Sequence, residues 1–198
     1  RGEVVNESAR RPTVPRHHGV QIVFQDPSST LNPRRTVESV LAEIFRVHEL
    51  GDSSEVTEKV RNALEMVGLA TQLAARRPNR LSGGQRQRVA IARALIFEPE
   101  LIVADEIVSA LDASVQAQIL NLLADLRSSL GLTLIMISHD LAVVRQLCDR
   151  IIVMHEGRIV EDRVTEELLS NPQDGYTRDL LASVPSLDEF ELKGKTRY

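Results

Sequence analysis

The 198-residue sequence predicts an α/β fold: a parallel sheet core with a helical segment inserted between its strands. Three observations predict it. Short continuous apolar runs at 101–104 and 133–137 have the length and branched side chains of buried parallel strands. Helical periods alternate with strand-like runs from residue 98 onward. Residues 36–97 carry helical periods alone, between the strand-like runs at 20–24 and 101–104.

Taken in order, residues 1–19 are polar and read as loop, with a short strand near Val4. Val20 to Phe24 is a strand that ends at Gln25-Asp26-Pro27, and 26–35 has the prolines, Asn32 and hydroxyls of a loop. From Thr36 to about Leu50, Val37, Val40, Leu41, Ile44 and Phe45 recur at helical spacing. A second helix over 54–67 stops at Gly68, and 71–80 is a short helical or irregular piece ending near Pro78. A helix opened by Ser82 runs to about Ile96 and stops before Pro99.

After the strand at 101–104, residues 113–130 form an amphipathic helix with Val115, Ile119, Leu122, Leu123 and Leu126 on one side, ended by Gly131. A buried strand over 133–137 and a helix from Leu141 to about Cys148 follow. Strands at 151–154 and 158–160 are joined at Glu156-Gly157. Helical stretches at 165–170 and 176–183 precede a polar tail beyond Pro185. The expected division is an α/β core over 1–35 and 98–163, a helical subdomain over 36–97, and a C-terminal helical extension and tail over 164–198.

Composition narrows the function classes. The formal net charge is −4 and Trp is absent, so neither a basic patch nor a stacking platform for nucleic acid is expected. The lone Cys148 excludes an intrachain disulfide and fits a reducing compartment. No apolar run reaches the roughly 18 residues that a membrane span needs. The expected location is the cytosol, or the cytoplasmic face of a membrane as a docked peripheral subunit.

The chemistry-bearing residues lie at strand and helix ends. Leu81-Ser82-Gly83-Gly84-Gln85 opens a helix with free backbone N–H groups at the positive end of its dipole, an anion site that two glycines leave open to a phosphate. Asp105 and Glu106 follow a buried strand at the edge where α/β sheets bind ligands. Asp105 suits Mg²⁺, a hard oxygen-seeking ion, and Glu106 suits a general base that polarises water. An isolated Asp-Glu is as often a solvated turn. His139, within Ser138-His139-Asp140, ends the next strand on the side of Glu106, and there it suits a phosphate contact. Gln25 ends the earlier strand with an amide that accepts from metal-bound water and donates to phosphate. His17, His18, His48, His155 and Cys148 show no ligand spacing and read as structural or surface residues. Arg76, Arg77 and Arg80 read as a solvated face.

In this order, Gln25, then 81–85, then Asp105-Glu106 with Ser109-Ala110-Leu111-Asp112, then His139, the chain resembles the nucleotide-binding subunits of ABC transporters over about residues 20–185. Phe24-Gln25-Asp26-Pro27 with Thr30-Leu31-Asn32-Pro33-Arg34 is similar to the oligopeptide/dipeptide importer branch. So are Asn171-Pro172, Tyr176-Thr177, Leu180-Leu181 and Pro185. The resemblance implies a P-loop NTPase-like core, ATP and Mg²⁺ as cofactors, and pairing with a second nucleotide-binding domain, identical or not. It also implies transmembrane permease subunits as partners. By the same resemblance, Ser82, Gly83, Gly84 and Gln85 contact a γ-phosphate held by the partner domain. Gln25 senses Mg²⁺ and links it to the permease, which docks on the helical subdomain and the 26–35 loop. Asp105 supports Mg²⁺, Glu106 activates water, His139 holds the γ-phosphate, and Asp112 lies at the dimer contact.

Two departures stand out. No phosphate loop of the form G-x-x-x-x-G-K-[ST] occurs in these residues. The echo at Gly194-Lys195-Thr196 has Glu189 where the first glycine belongs. The chain starts at Arg1 rather than Met, so a longer protein with the loop upstream is expected, active as an ATPase subunit. Two alternatives are a non-catalytic partner that completes an ATP site on another chain, and an ABC-type protein of DNA repair or translation. The last needs coiled-coil insertions or a tandem cassette, which the sequence lacks. Ile107 stands where the family usually has Pro, which is expected to loosen the turn after Glu106.

Overall fold

A computed structural model of the chain describes residues 19–48 and 53–183. The expected strand near Val4, the tail beyond Pro185, the 194–196 echo and the His17-His18 pair lie outside the described residues. The first strand, β1 (Val20–Val23), is followed by a one-turn helix, α1 (Pro27–Thr30), where the sequence reading has only loop. Pro27 supplies the preset φ that suits a first helical position, and Leu31 N donates to its carbonyl at 3.0 Å. Helices α2 (Val37–Val47) and α3 (Ser53–Met66) then pack on each other. Thr36 caps α2 by accepting from Ser39 N, and α3 ends at Gly68 in the left-handed region (φ +68°) that glycine adopts without a Cβ clash.

Two 3₁₀ turns, Thr71–Ala75 and Pro78–Arg80, lead into α4 (Gly83–Leu95). Next come β2 (Leu101–Asp105), α5 (Ala113–Leu130) and β3 (Thr133–Ile137). Gly131, φ +66°, closes α5 as expected. Helix α6 (Leu141–Leu147), the hairpin β4 (Arg150–His155) and β5 (Arg158–Val164), and helices α7 (Thr165–Ser170) and α8 (Gly175–Ala182) complete the described chain.

Strands β1, β2 and β3 pair side by side and in parallel, so the helical stretch α2–α4 is indeed an insert between neighbouring strands. Strands β4 and β5 form a separate antiparallel pair. One apolar cluster joins Val23, Ile102 and Ala104 of the sheet to Val89, Ile91 and Leu95 of α4. The same cluster takes in Val37, Leu41 and Leu64 of the insert and Ile119, Leu123 and Leu126 of α5. Continuous burial of this kind, and not intrinsic helix propensity, is what holds short helices such as these in place.

The structure corrects two expectations about burial. Strand β3 alternates: Leu134 and Met136 face the cluster, while Ile135 and Ile137 are 48% and 49% exposed. Val20 and Ile22 of β1 are exposed in the same way, because no described element covers that face of the sheet. On α5 the buried stripe is Ile119, Leu120, Leu123 and Leu126, with Val115 and Leu122 only half-buried at its margin. Among the described residues no helix is long and apolar enough to cross a membrane.

A buried carboxylate fastens the C-terminal helices to the hairpin. Glu161 of β5 accepts from the backbone N–H of Gln173 at 3.0 Å and of Asp174 at 3.1 Å, and Arg163 Nη1 lies 3.9 Å away. The Gln173 amide foremost, with Asp174 and Arg163, holds its carboxyl below the usual carboxylate range despite burial. Asp174 in turn caps α8.

Glu161→Gln is therefore expected to lower the urea midpoint of unfolding at pH 7. Because the folded-state pKa is depressed, the ionised form stabilises above the unfolded pKa and that gain is lost as pH falls through the folded value. The gap between wild type and Glu161→Gln should narrow as pH falls and Glu161 takes up its proton in the folded state; a gap independent of pH excludes ionisation as its cause.

Candidate functional site

The site is assembled where the parallel ladder stops. Asp105 pairs with Ile137 as the last residue of β2, and Glu106 N donates to Ile137 O at 2.9 Å, one step beyond. Glu106 itself has φ +47°, in the left-handed region that a non-glycine residue enters at a cost. Glu98 and Glu156 share that φ, but they close a helix end and the β4–β5 hairpin, where it is common. Glu106 follows a strand directly.

The turn after it is closed twice over. Ser109 N and Ser109 Oγ both donate to Glu106 O, at 3.1 and 2.9 Å. Ile107 and Val108 between them are buried in the core. Ile107, where the family usually has Pro, anchors the turn as an apolar peg.

Three of the sequence-derived residues converge here. His139 Nδ1 lies 3.0 Å from Glu106 Oε1. An ionised carboxylate can only accept, so Nδ1 carries the proton and Nε2 is the ring's remaining polar atom. His139 is 72% exposed at its side chain, against 31% for Glu106. Gln25 Nε2 donates to Ser109 Oγ at 3.1 Å, which ties the end of β1 into the same network. Beside the pair is a pocket lined by Glu106, Ser109, Gln116, Ser138, His139 and Asp140 and, on its apolar side, by Ile107, Val108, Met136 and Ile137. Asp140 caps α6 and receives a long 3.5 Å bond from Gln116 Nε2. Among the described residues no three His, Cys, Asp or Glu cluster as a metal cage.

The stretch 81–85 forms a second, separate part of the site. Ser82 Oγ accepts from Gln85 N at 3.2 Å and Gln85 Oε1 accepts from Ser82 N at 3.0 Å, a complete capping box. Gln85 thereby commits its oxygen and keeps Nε2 for any ligand. Leu81 is buried, and its carbonyl accepts from Arg86 Nη1 at 2.6 Å.

The two glycines differ in what they permit. A Cβ at Gly84 would run into Val115 Cγ1 of α5, so helix packing demands glycine there. A Cβ at Gly83 would meet Leu111 Cδ2 at 3.4 Å, an ordinary contact, so packing does not require this glycine. Asp112 caps α5 by accepting from Val115 N at 3.0 Å, which sets 82–85 against the first turn of that helix.

Ser109 and Gln116 were not legible as site residues. Ser109 had a local signal, a hydroxyl three residues beyond a strand-end acid, where it can close a turn. Gln116 had none, because its place depends on how α5 runs past β3. The residues set aside in the sequence are structural where described. His48 packs edge-on against Phe97, His155 stacks on Tyr176 at 3.9 Å between ring centres, and burial pushes the Cys148 thiol up and away from reactivity. Arg76, Arg77 and Arg80 are exposed.

A family model described as ABC transporter matches residues 1–109. The chain belongs to the ABC transporter family. An oligopeptide transport ATP-binding protein of Bacillus subtilis is 51% identical over 166 residues, covering 84% of this chain and 50% of its own. A dipeptide transport ATP-binding protein of Haemophilus influenzae is 48% identical over 172 residues, covering 87% of this chain and 53% of its own. Among solved structures, cbiO1 of Clostridium perfringens, part of the ABC transporter complex cbiONQ, matches with a TM-score of 0.70. It is 30% identical and covers 88% of this chain and 68% of that one. The chain spans about half the length of the curated relatives it matches. The α/β P-loop NTPase-like fold expected from the ABC resemblance is thereby established.

Gly84→Ala tests the packing account. At an open helical position this change gains up to about 1 kcal/mol. Here the clash with Val115 should turn it into a loss of about 1–3 kcal/mol in urea unfolding. In a Val115→Ala background the same substitution should become neutral or stabilising; a loss that persists there removes Val115 as the reason for the glycine.

Proposed function

We propose that this chain is part of the ATP-binding and ATP-hydrolysing subunit that powers an ABC importer, probed by its relatives' names to carry oligopeptides or dipeptides. The observation that carries the hydrolytic reading is the contact between Glu106 and His139 at the end of the parallel ladder, linked to Gln25 through Ser109. In it Glu106 polarises water as general base, with its carboxylate held by His139. His139 orients Glu106 through Nδ1 and meets the γ-phosphate through Nε2.

Asp105 and Gln25 would hold Mg²⁺ by single oxygens; when bound, the ion neutralises charge on the β- and γ-phosphates. Ser82, Gly83, Gly84 and Gln85 contact the γ-phosphate of an ATP held by a second nucleotide-binding domain. Free N–H groups at the start of α4 and the unforced glycine at 83 support this. Asp112 lies at the contact between the two domains. Residues 36–97 act as the helical subdomain which, with 26–35, docks a permease helix. The subunit works as a peripheral protein on the cytoplasmic face of the membrane. No phosphate-loop pattern of the form G-x-x-x-x-G-K-[ST] occurs within residues 1–198.

Two measurements test this reading. In the assembled transporter, Glu106→Gln should slow ATP hydrolysis by about 10²–10⁴-fold while nucleotide binding persists; unchanged turnover removes Glu106 from the base role. Purified residues 1–198 should hydrolyse no ATP, because positioning and charge stabilisation are lost together without the cradle. Robust turnover by that chain contradicts the need for a phosphate-loop pattern that these residues lack.

A further inference from the structure

We infer that Ser109 is a positioning residue that fixes which face the Gln25 amide presents and couples it to the backbone of Glu106. The inference rests on the roles given above to Gln25 and Glu106. It follows from counting protons. The Ser109 hydroxyl has one proton to give, and the Glu106 carbonyl, 2.9 Å away, can only accept. That proton is therefore committed, and Ser109 Oγ can only accept from Gln25. The atom of Gln25 at 3.1 Å must then be Nε2, which leaves Oε1 turned away from Ser109 as the free acceptor of the amide.

The consequence is chemical. A hard cation or its bound water needs the oxygen of Gln25, and an amide with its NH₂ outward would oppose a positive charge. The network Gln25–Ser109–Glu106 selects the productive orientation before any ligand arrives. The same hydroxyl, with Ser109 N at 3.1 Å, holds the carbonyl of Glu106 in its left-handed conformation. A shift of Gln25 is thus felt at the backbone of the proposed base.

Side-chain amide NMR of the ¹⁵N-glutamine-labelled chain tests this without nucleotide, with Gln25→Ala identifying the resonance. The Gln25 Nε2 signal should lie away from the position of a solvated glutamine. It should move to that position in Ser109→Ala and return in Ser109→Thr, which keeps the hydroxyl. A signal unmoved by Ser109→Ala overturns the proposed bond. In the transporter, Ser109→Ala should raise the Mg²⁺ concentration for half-maximal hydrolysis by about 3–10-fold, the weight of one hydrogen bond, with the KM for ATP changed less than about twofold. Ser109→Thr should restore it. A moved NMR signal with unchanged Mg²⁺ dependence overturns the positioning role. A wild-type transporter without ATPase activity refutes the hydrolytic reading instead, and the NMR outcome still decides the bond.

Discussion

One hydrogen bond, from Glu106 N to Ile137 O, decides where the sheet ends and the site begins. It carries the β2–β3 ladder one residue past the last extended position, so Glu106 is held by the sheet while its backbone already turns. Strain at such a residue costs on the order of 1–3 kcal/mol and persists only where the surroundings over-determine it. Here they do. The N–H of Glu106 is bonded to β3, its carbonyl accepts twice from Ser109, and its carboxylate meets His139. The two residues that follow are buried. Each neutral bond contributes about 0.5–1.5 kcal/mol, so the set is sufficient to offset the strain.

The register of the sheet does the remaining assembly. Val23 pairs with Ala104 and Asp105 pairs with Ile137, so Gln25, Asp105, Glu106 and His139 all leave the sheet from its carboxyl edge. Parallel pairing makes this unavoidable, since every strand then points its chemistry in one direction. A one-residue slip of β2 against β3 would move Glu106 N away from Ile137 O and reverse which side chains face the core. The alternation of Ile102 and Ala104, both buried, opposes such a slip. The apolar pattern of a strand interior therefore protects a polar geometry at its end.

Element limits were readable because their signals are local. Ser82, Asp112 and Asp140 cap helices within three residues of their own positions, and Gly68 and Gly131 end helices through their own φ. What depends on a distant partner was not readable. The exposure of Ile135 and Ile137 depends on what lies over one sheet face, and the burial of Leu120 depends on how α5 is rolled against the sheet. The individual residues Gln25, Glu106 and His139 were legible because strand ends are predictable. The link from Gln25 to Glu106 was not, since it passes through Ser109, 84 residues along the chain from Gln25.

The packing of α4 on α5 couples the two parts of the site. Gly84 meets Val115, Val115 N is capped by Asp112, and Asp112 ends the segment that starts at Glu106. From the strand end to the opening of α4 there is thus a short path of direct contacts, with Ile107 and Val108 fixed in the core along the way. A tightly packed interior transmits displacement because it has no free volume to absorb it. Glycine at 84 removes the side chain that would otherwise hold the helices apart. Its role is then to let α4 pack closely on α5, whereas packing does not require the glycine at 83. The division of labour between two adjacent glycines is a property of how α5 approaches α4, and the dipeptide alone does not reveal it.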